Sequence, residues 1–323
     1  MENQDKKSGF KWWLPLTIIG ALTVGYYAST FFSSSIKEKK QQEENIKEQV
    51  EQKTPSDSNQ HAPIVSPFIP EKMTFAETEI PLNITDVKEK LDRELVINCY
   101  WHSNTIFYLK RAARWFPLIE PILKEQNIPD DFKYLAVIES GLDNVVSPSG
   151  AAGYWQFMRG TALDYGLEVT SMVDERYHPE KATYAACKYL HHAHLKYEDW
   201  MLAAASYNMG KAALSNRLEE QKVDSYFDLL LNSETSRYVY RIIAVKLIFE
   251  NPEKYGFQLK DDDLYQPYDT KTVTIDEDID DLIDFALENK TNYKNLKILN
   301  PWLRSKKLNV RKGKKYQILI PKE

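Results

Sequence analysis

Periodicity along the chain predicts a mainly α protein that ends in a small β-α-α-β module. Between residues 85 and 258 apolar side chains recur at helical spacing, first Val87, Leu91, Leu95 and Val96, then Ile106, Leu109, Ala113 and Phe116. Beyond residue 264, two strand-like alternations flank two short helical stripes. The composition, 43% apolar and 28% charged over 323 residues, is that of an ordinary folded protein with room for one sizeable domain and a smaller one. A formal net charge of −5 gives no basic face for nucleic acid, so none is expected as a partner. Two cysteines, Cys99 and Cys187, exclude a disulfide scaffold and a Cys-rich zinc module. No metal or cofactor is expected. His191 and His194, one helical turn apart, lack the HExxH pattern.

Residues 12–36 hold no charged side chain, and the apolar heart of this stretch, residues 12–32, is 21 residues long. A helix rising ~1.5 Å per residue needs about 20 to cross a bilayer core. Trp12, Trp13, Phe31 and Phe32 stand at its two ends, where aromatic rings favour the interface. The run exceeds the apolar core of a signal peptide, and Ala28-Ser29-Thr30 is a poor cleavage site. An uncleaved transmembrane anchor over 12–32 is expected, with residues 1–11 as a cytoplasmic tail. Lysines 6, 7 and 11 on one side balance lysines 37, 39 and 40 on the other, so charge does not orient it. Residues 33–84, rich first in Lys, Glu and Gln and then in Pro and Ser, read as a tether.

The helical region, 85–258, punctuates itself. Pro129 with Asp130 and Asp131 marks a helix start, as does Pro179-Glu180, because proline suits the first turn and carboxylates its positive end. Asp199 precedes another helix, and Thr235 precedes one with Tyr238, Ile242, Val245 and Phe249 on its apolar side. In the segment that ends at Gly141, Glu139 shares a helical face with Phe132 and Leu135. That stripe buries the carboxyl in the last turn of its helix. Burial and the negative helix end both favour the neutral acid, the form a general acid needs. A glutamate at a frayed end, turned to water, is the bland alternative.

The loop of residues 147–158 sets Gly and Ala beside Tyr154, Trp155, Gln156, Phe157 and Met158. Small residues open a groove, aromatic rings stack on sugar faces, and an amide both donates and accepts. Farther on, Tyr207-Asn208-x-Gly210 ends a helix, and Glu234-Thr235 with Tyr238 opens the next.

Glu139-Ser140, Gly153-Tyr154-Trp155-Gln156, Ala205-Ser206-Tyr207-Asn208-x-Gly210 and Glu234-Thr235 with Tyr238, in that order, resemble the motif series of the soluble-lytic-transglycosylase catalytic domain. The nearest likeness is its membrane-bound lytic murein transglycosylase D type. The resemblance covers about residues 85–258 and implies a lysozyme-like helical fold. It implies Glu139 as the single catalytic acid and later base, with Ser147, Gln156 and Met158 lining a saccharide groove. Tyr207, Asn208 and Tyr238 would stand by the carboxyl and complete the substrate site. The implied reaction cuts the β-1,4 bond between N-acetylmuramic acid and N-acetylglucosamine in peptidoglycan glycan strands and leaves a 1,6-anhydro end. A peptidoglycan substrate would place the domain on the periplasmic side of the cytoplasmic membrane. The rivals are a goose-type-lysozyme-like muramidase, with Asp143, Asp164 or Asp174 as second carboxylate, and a catalytically dead wall-binding protein.

In the last 60 residues, 264–323, Lys271 to Ile275 alternates as a strand and Asp278 is the expected helix cap. Leu296 and Leu299 suggest a short helix that stops at Asn300-Pro301. Tyr316, Ile318 and Ile320 alternate as a closing strand. The order resembles a degenerate LysM carbohydrate-binding module, with Asp280-Asp281-Leu282 in place of the usual Gly-Asp-Thr-Leu opening.

Overall fold

The computed structural model describes residues 64–322, so the anchor expected over 12–32 and most of the tether lie outside the described residues. No described helix is long and apolar enough to cross a membrane. A compact unit spans residues 66–323.

The helical region is built from eight α-helices: α1 Thr85–Tyr100, α2 His102–Glu125, α3 Lys133–Ser140, α4 Arg159–Asp164, α5 Pro179–Tyr197, α6 Trp200–Met209, α7 Lys211–Gln221 and α8 Thr235–Glu250. Helix α8 is the centre. Eleven of its 16 residues are buried, from Thr235 to Ile248, and it packs against α1, α3 and α6. A helix buried on nearly all sides is stable only when enclosed. The helix starts follow the sequence pattern. Pro179 occupies the first turn of α5, and the Asp199 carboxylate accepts the Leu202 amide at 2.8 Å to cap α6. Helix α2 carries Pro117 and Pro121 in its interior, each at the cost of one helical hydrogen bond.

The tether expected up to residue 84 ends sooner. Thr74–Phe75 (β1) pairs antiparallel with Thr78–Glu79 (β2) through a turn whose central residues, Ala76 and Glu77, both have positive φ. Met73, Phe75, Ala76 and Ile80 belong to the main core, and Phe75 meets Phe132 edge-on at 5.4 Å. Asp131 accepts the Ala76 amide at 2.7 Å and pairs with Lys246, whose ammonium also donates to the Thr74 carbonyl. Four apolar side chains spread among prolines carry no period, which is why this hairpin was not legible.

The C-terminal module has the expected order: β3 Thr270–Ile275, α9 Leu282–Glu288, α10 Tyr293–Leu299 and β4 Tyr316–Pro321. The strands pair antiparallel in register from Thr270–Pro321 to Ile275–Tyr316. Asn300, fully buried, ties helix to strand: its amide donates to the Leu296 and Leu319 carbonyls and its oxygen accepts the Leu319 amide. The helix cap is Asp281, not Asp278. Helix α9 starts at Leu282, and Asp281 accepts the Ile283 amide at 2.6 Å. Asp278 instead accepts the Val310 amide, next to the Ile279–Leu308 bridge. The module does not own its core: Ala152, Val173 and Tyr177 of the helical region are buried together with Leu282, Phe285, Trp302, Leu303 and Tyr316.

Cys99 in α1 and Cys187 in α5 are separate buried thiols. His194 stacks on Trp200 with ring centroids 3.8 Å apart, a packing role for one of the clustered histidines.

If the β1–β2 hairpin belongs to the folded unit, Phe75→Ala should destabilise by about 3–5 kcal/mol, the usual cost of emptying an aromatic core site. Urea or thermal unfolding measures it; a change below about 1 kcal/mol would return this segment to the tether.

Candidate active site

Helix α3 is short. The turn of Asp130–Phe132 precedes it, and Gly141 ends it in the left-handed conformation, φ 63°, with its amide on the Val137 carbonyl at 2.8 Å. A Cβ at Gly141 would stand 2.6 Å from the Tyr108 ring, so the stop is also a close approach. Tyr134 to Ile138 are buried, and Glu139 emerges half-buried at the end of that run. The Tyr238 hydroxyl of α8 donates to Glu139 Oε1. Arg241, one turn on, donates to the Ile138 carbonyl at 3.0 Å and so fixes the last turn of α3 beside the carboxyl.

Burial pushes the Glu139 carboxyl up to about 7. The Tyr238 hydroxyl and the Arg241 charge oppose that shift, and the Glu234 carboxylate adds to it. Near neutral pH the group therefore exchanges readily between acid and base. Tyr207 and Tyr238 are held well above the ordinary phenol range by burial and by the nearby carboxyl, so both stay neutral donors.

The loop of 147–158 is folded on itself by bridges from Val146 to Ala152 and from Ala152 to Phe157. Ser147 makes its tight end: its hydroxyl accepts the Ala151 amide at 3.0 Å and its carbonyl accepts the Gly150 amide. Gln156 sits at φ 48°, and its side-chain nitrogen donates to the carbonyls of Val145 and Gly153. Ser140 Oγ donates to the Tyr154 carbonyl at 2.8 Å, so the residue after the acid anchors the loop. Tyr207 Oη donates to the Trp155 carbonyl at 2.8 Å, and its ring meets Phe157 and Tyr189 edge-on. Asn208 accepts from the Thr235 hydroxyl at 2.8 Å and donates to Glu234 at 3.3 Å, which joins the third motif to the fourth.

Of the residues singled out from the sequence, Gln156, Met158, Tyr207 and Asn208 line one cleft of ≈ 760 Å³, with Tyr165 and Tyr189 as further aromatic walls. Glu139 and Tyr238 form their own bonded pair, and Ser147 turns inward on its loop. A smaller cavity of ≈ 290 Å³ at the junction with the C-terminal module is lined by Trp115, His178, Tyr268, Trp302 and Leu319 among others. None of its lining residues belongs to the four motifs, so the cleft beside Tyr207 is the better candidate for substrate.

Among the rival carboxylates, Asp143 pairs with Arg111 at 2.9 Å, and Asp174 is gripped by Arg176 at 2.7 Å. Asp164 is exposed at the edge of the cleft. Arg241 was missed in the sequence. Its only signal was its place one turn beyond Tyr238, which marks a helix face and no chemistry.

Residues 117–229 match the family described as Transglycosylase SLT domain, and residues 271–323 match the Soluble lytic transglycosylase C-terminal LysM-like domain. The chain carries a transglycosylase SLT domain. It is homologous to the membrane-bound lytic murein transglycosylase D of Escherichia coli strain K12, 29% identical over 195 residues. That alignment covers 57% of this chain and 42% of the relative. The same-named protein of Escherichia coli O6:H1 gives the same figures. The matched part of the chain thus spans less than half the length of these curated relatives. A solved structure, the 70 kDa soluble lytic transglycosylase of Escherichia coli, is 20% identical with a TM-score of 0.37, over 48% of this chain and 27% of that one. The SLT match runs from the second half of α2 to the Leu229 turn and so contains Glu139, the 147–158 loop and Tyr207-Asn208; Tyr238 lies beyond it.

The Glu139 shift has a stability consequence with a definite sign. A carboxyl raised from 4.5 to about 7 binds its proton more tightly folded than unfolded. Its contribution is therefore complete below pH ~4.5 and is lost as pH rises through about 7. Glu139→Gln should raise the Tm at pH 8 and leave it nearly unchanged at pH 4. A Tm lowered more at pH 8 than at pH 4 would show that the carboxylate, not the acid, is the favoured form.

Proposed function

We propose that this protein is a peptidoglycan lytic transglycosylase that cuts the β-1,4 bond between N-acetylmuramic acid and N-acetylglucosamine and leaves 1,6-anhydromuramic acid ends. The observation that carries the reading is the Glu139 carboxyl, raised to about 7 by burial and held by Tyr238; Tyr207, near enough to feel that carboxyl, walls a cleft together with Gln156, Met158 and Asn208. The SLT-domain match and the homology to a murein transglycosylase support it.

In this reading Glu139 gives its proton to the bridging oxygen as the C1–O bond breaks, and the N-acetylglucosamine side leaves as an alcohol. The muramyl N-acetyl group stabilises the cationic sugar, a substrate-assisted route that replaces the second carboxylate of most glycosidases. Glu139, now a carboxylate, takes the proton of the sugar's own 6-hydroxyl as that oxygen bonds to C1. The acid is regenerated and no water is consumed. An internal nucleophile gains from proximity. Tyr238 suits both halves, because its hydroxyl donates to the same oxygen whether the carboxyl is neutral or charged. Gln156, Met158, Tyr207, Asn208 and, through the shape of its loop, Ser147 hold the glycan. The 12–32 run anchors the chain in the cytoplasmic membrane, and the domain faces the periplasm, where the substrate lies.

Incubation of purified sacculi with the protein should release 1,6-anhydromuramyl products, identified by mass. Glu139→Gln should lower the rate by ~10²–10⁴-fold or more, since one group serves both steps. Asp143→Asn, whose carboxylate is tied to Arg111, should retain most activity. Reducing-end products would make the enzyme a hydrolase. Near-normal activity in Glu139→Gln would remove the assigned catalyst.

Protease added to spheroplasts should digest the SLT domain without lysis. Protection until lysis would reverse the topology.

A further inference from the structure

The C-terminal module meets the SLT domain through main chain as well as side chains. The Asp174 amide donates to the Trp302 carbonyl at 2.9 Å, the Arg304 amide donates to the Met172 carbonyl at 2.7 Å, and Val173 bridges Leu303. Lys314 and the Tyr316 hydroxyl both close on Glu168, just before that segment. The Arg304 guanidinium lies over the Tyr177 ring at 4.3 Å, just after it. Residues 168–177 are thus held along their length by the module.

The same segment grips the groove loop. Arg176 engages all three of its guanidinium nitrogens. Nε and Nη2 bond the Asp174 carboxylate at 3.0 and 2.7 Å, and Nη1 donates to the carbonyls of Gly150 and Phe157 at 2.9 and 3.2 Å. Those carbonyls are the two ends of the stretch that carries Gln156. The Arg176 carbonyl presses on its middle: a Cβ at Gly153, φ 79°, would stand 1.8 Å from that oxygen, which only glycine allows. Phe157 edges Tyr207, and Tyr207 bonds the Trp155 carbonyl, so a shift of the loop displaces the cleft wall with it.

We propose that the C-terminal module is a positioning part of the glycan groove: its 302–304 segment sets residues 172–176, and Arg176, clamped by Asp174, holds the loop that carries Gln156. The role assigned to the groove rests on the proposed function; the clamp itself does not. Arg176 is a positioning residue, since it acts through the loop. Only the planar guanidinium reaches a carboxylate and two carbonyls at once.

The full chain is compared with three variants. Arg176→Lys keeps the charge and loses the fork. Arg304→Pro deletes the amide that pairs with Met172 at an exposed position, and Arg304→Ala keeps that amide. Arg176→Lys and Arg304→Pro should speed amide exchange across 147–157 about tenfold or more, with helix α8 unchanged. On sacculi they should raise KM about tenfold, as small misplacements of binding groups do. The pH profile, set by Glu139, should not move, and Arg304→Ala, which keeps the amide and loses the Tyr177 ring contact, should change exchange and KM less than Arg304→Pro does. If Arg304→Pro does not fold, the comparison passes to Lys314→Ala with Tyr316→Phe, which strips both module donors from Glu168. Unchanged exchange in 147–157 would overturn the clamp. A fall in kcat at constant KM, in step with a lowered Tm, would reduce it to ordinary packing. Wild-type protein that leaves sacculi intact sinks the proposed reaction but leaves the exchange comparison to decide the clamp.

Discussion

The enclosure of helix α8 governs the site. Because this helix is buried on almost every side, α1, α3 and α6 must surround it. That enclosure brings the end of α3 against Tyr238 and Arg241, residues about a hundred positions later in the chain. A carboxyl at an ordinary helix end would be solvated and acidic. Here the surrounding helices remove its water, and the proton affinity rises. Tyr238 and Arg241 restrain that rise, which leaves Glu139 near neutrality, where the two proton transfers proposed for it are most effective.

Around this pair the four motif segments, three on helices and one on the loop of 147–158, are tied to each other. Ser140 bonds the loop at Tyr154, Tyr207 bonds it at Trp155, and Asn208 bonds Thr235. Each contact links a residue of one motif to the backbone or side chain of another. The loop of 147–158 has only isolated bridges within it, so its shape comes from these contacts and from Arg176. A loop with a positive φ at Gln156 and a glycine wedged against a carbonyl cannot relax without loss of the cleft wall.

The mixed core of Ala152, Val173 and Tyr177 with the C-terminal module explains why a β-α-α-β unit of this size is stable here. A segment of some 50 residues is marginal by itself, and borrowed side chains add to its core. The same borrowing ties the groove to the module.

Much of the fold was readable from residue order. Helical period marked the helices, Pro179 and Asp199 their starts and Gly141 the end of α3, because these signals depend on bonds within one turn of the chain. Alternation likewise marked β3 and β4. Glu139 stood out as a candidate for a related reason: Phe132 and Leu135 share its face, and a carboxyl on an apolar stripe is conspicuous. The tertiary structure decided whatever depends on distant partners. It moved the cap from Asp278 to Asp281, drew Phe75 into the core, set Arg241 beside the acid and joined Asp174 to the C-terminal module. None of these has a local signature, since an arginine or aspartate looks alike in sequence whether it faces water or a buried carbonyl. Burial raises the Glu139 carboxyl, and burial belongs to the assembled helices rather than to any segment of them.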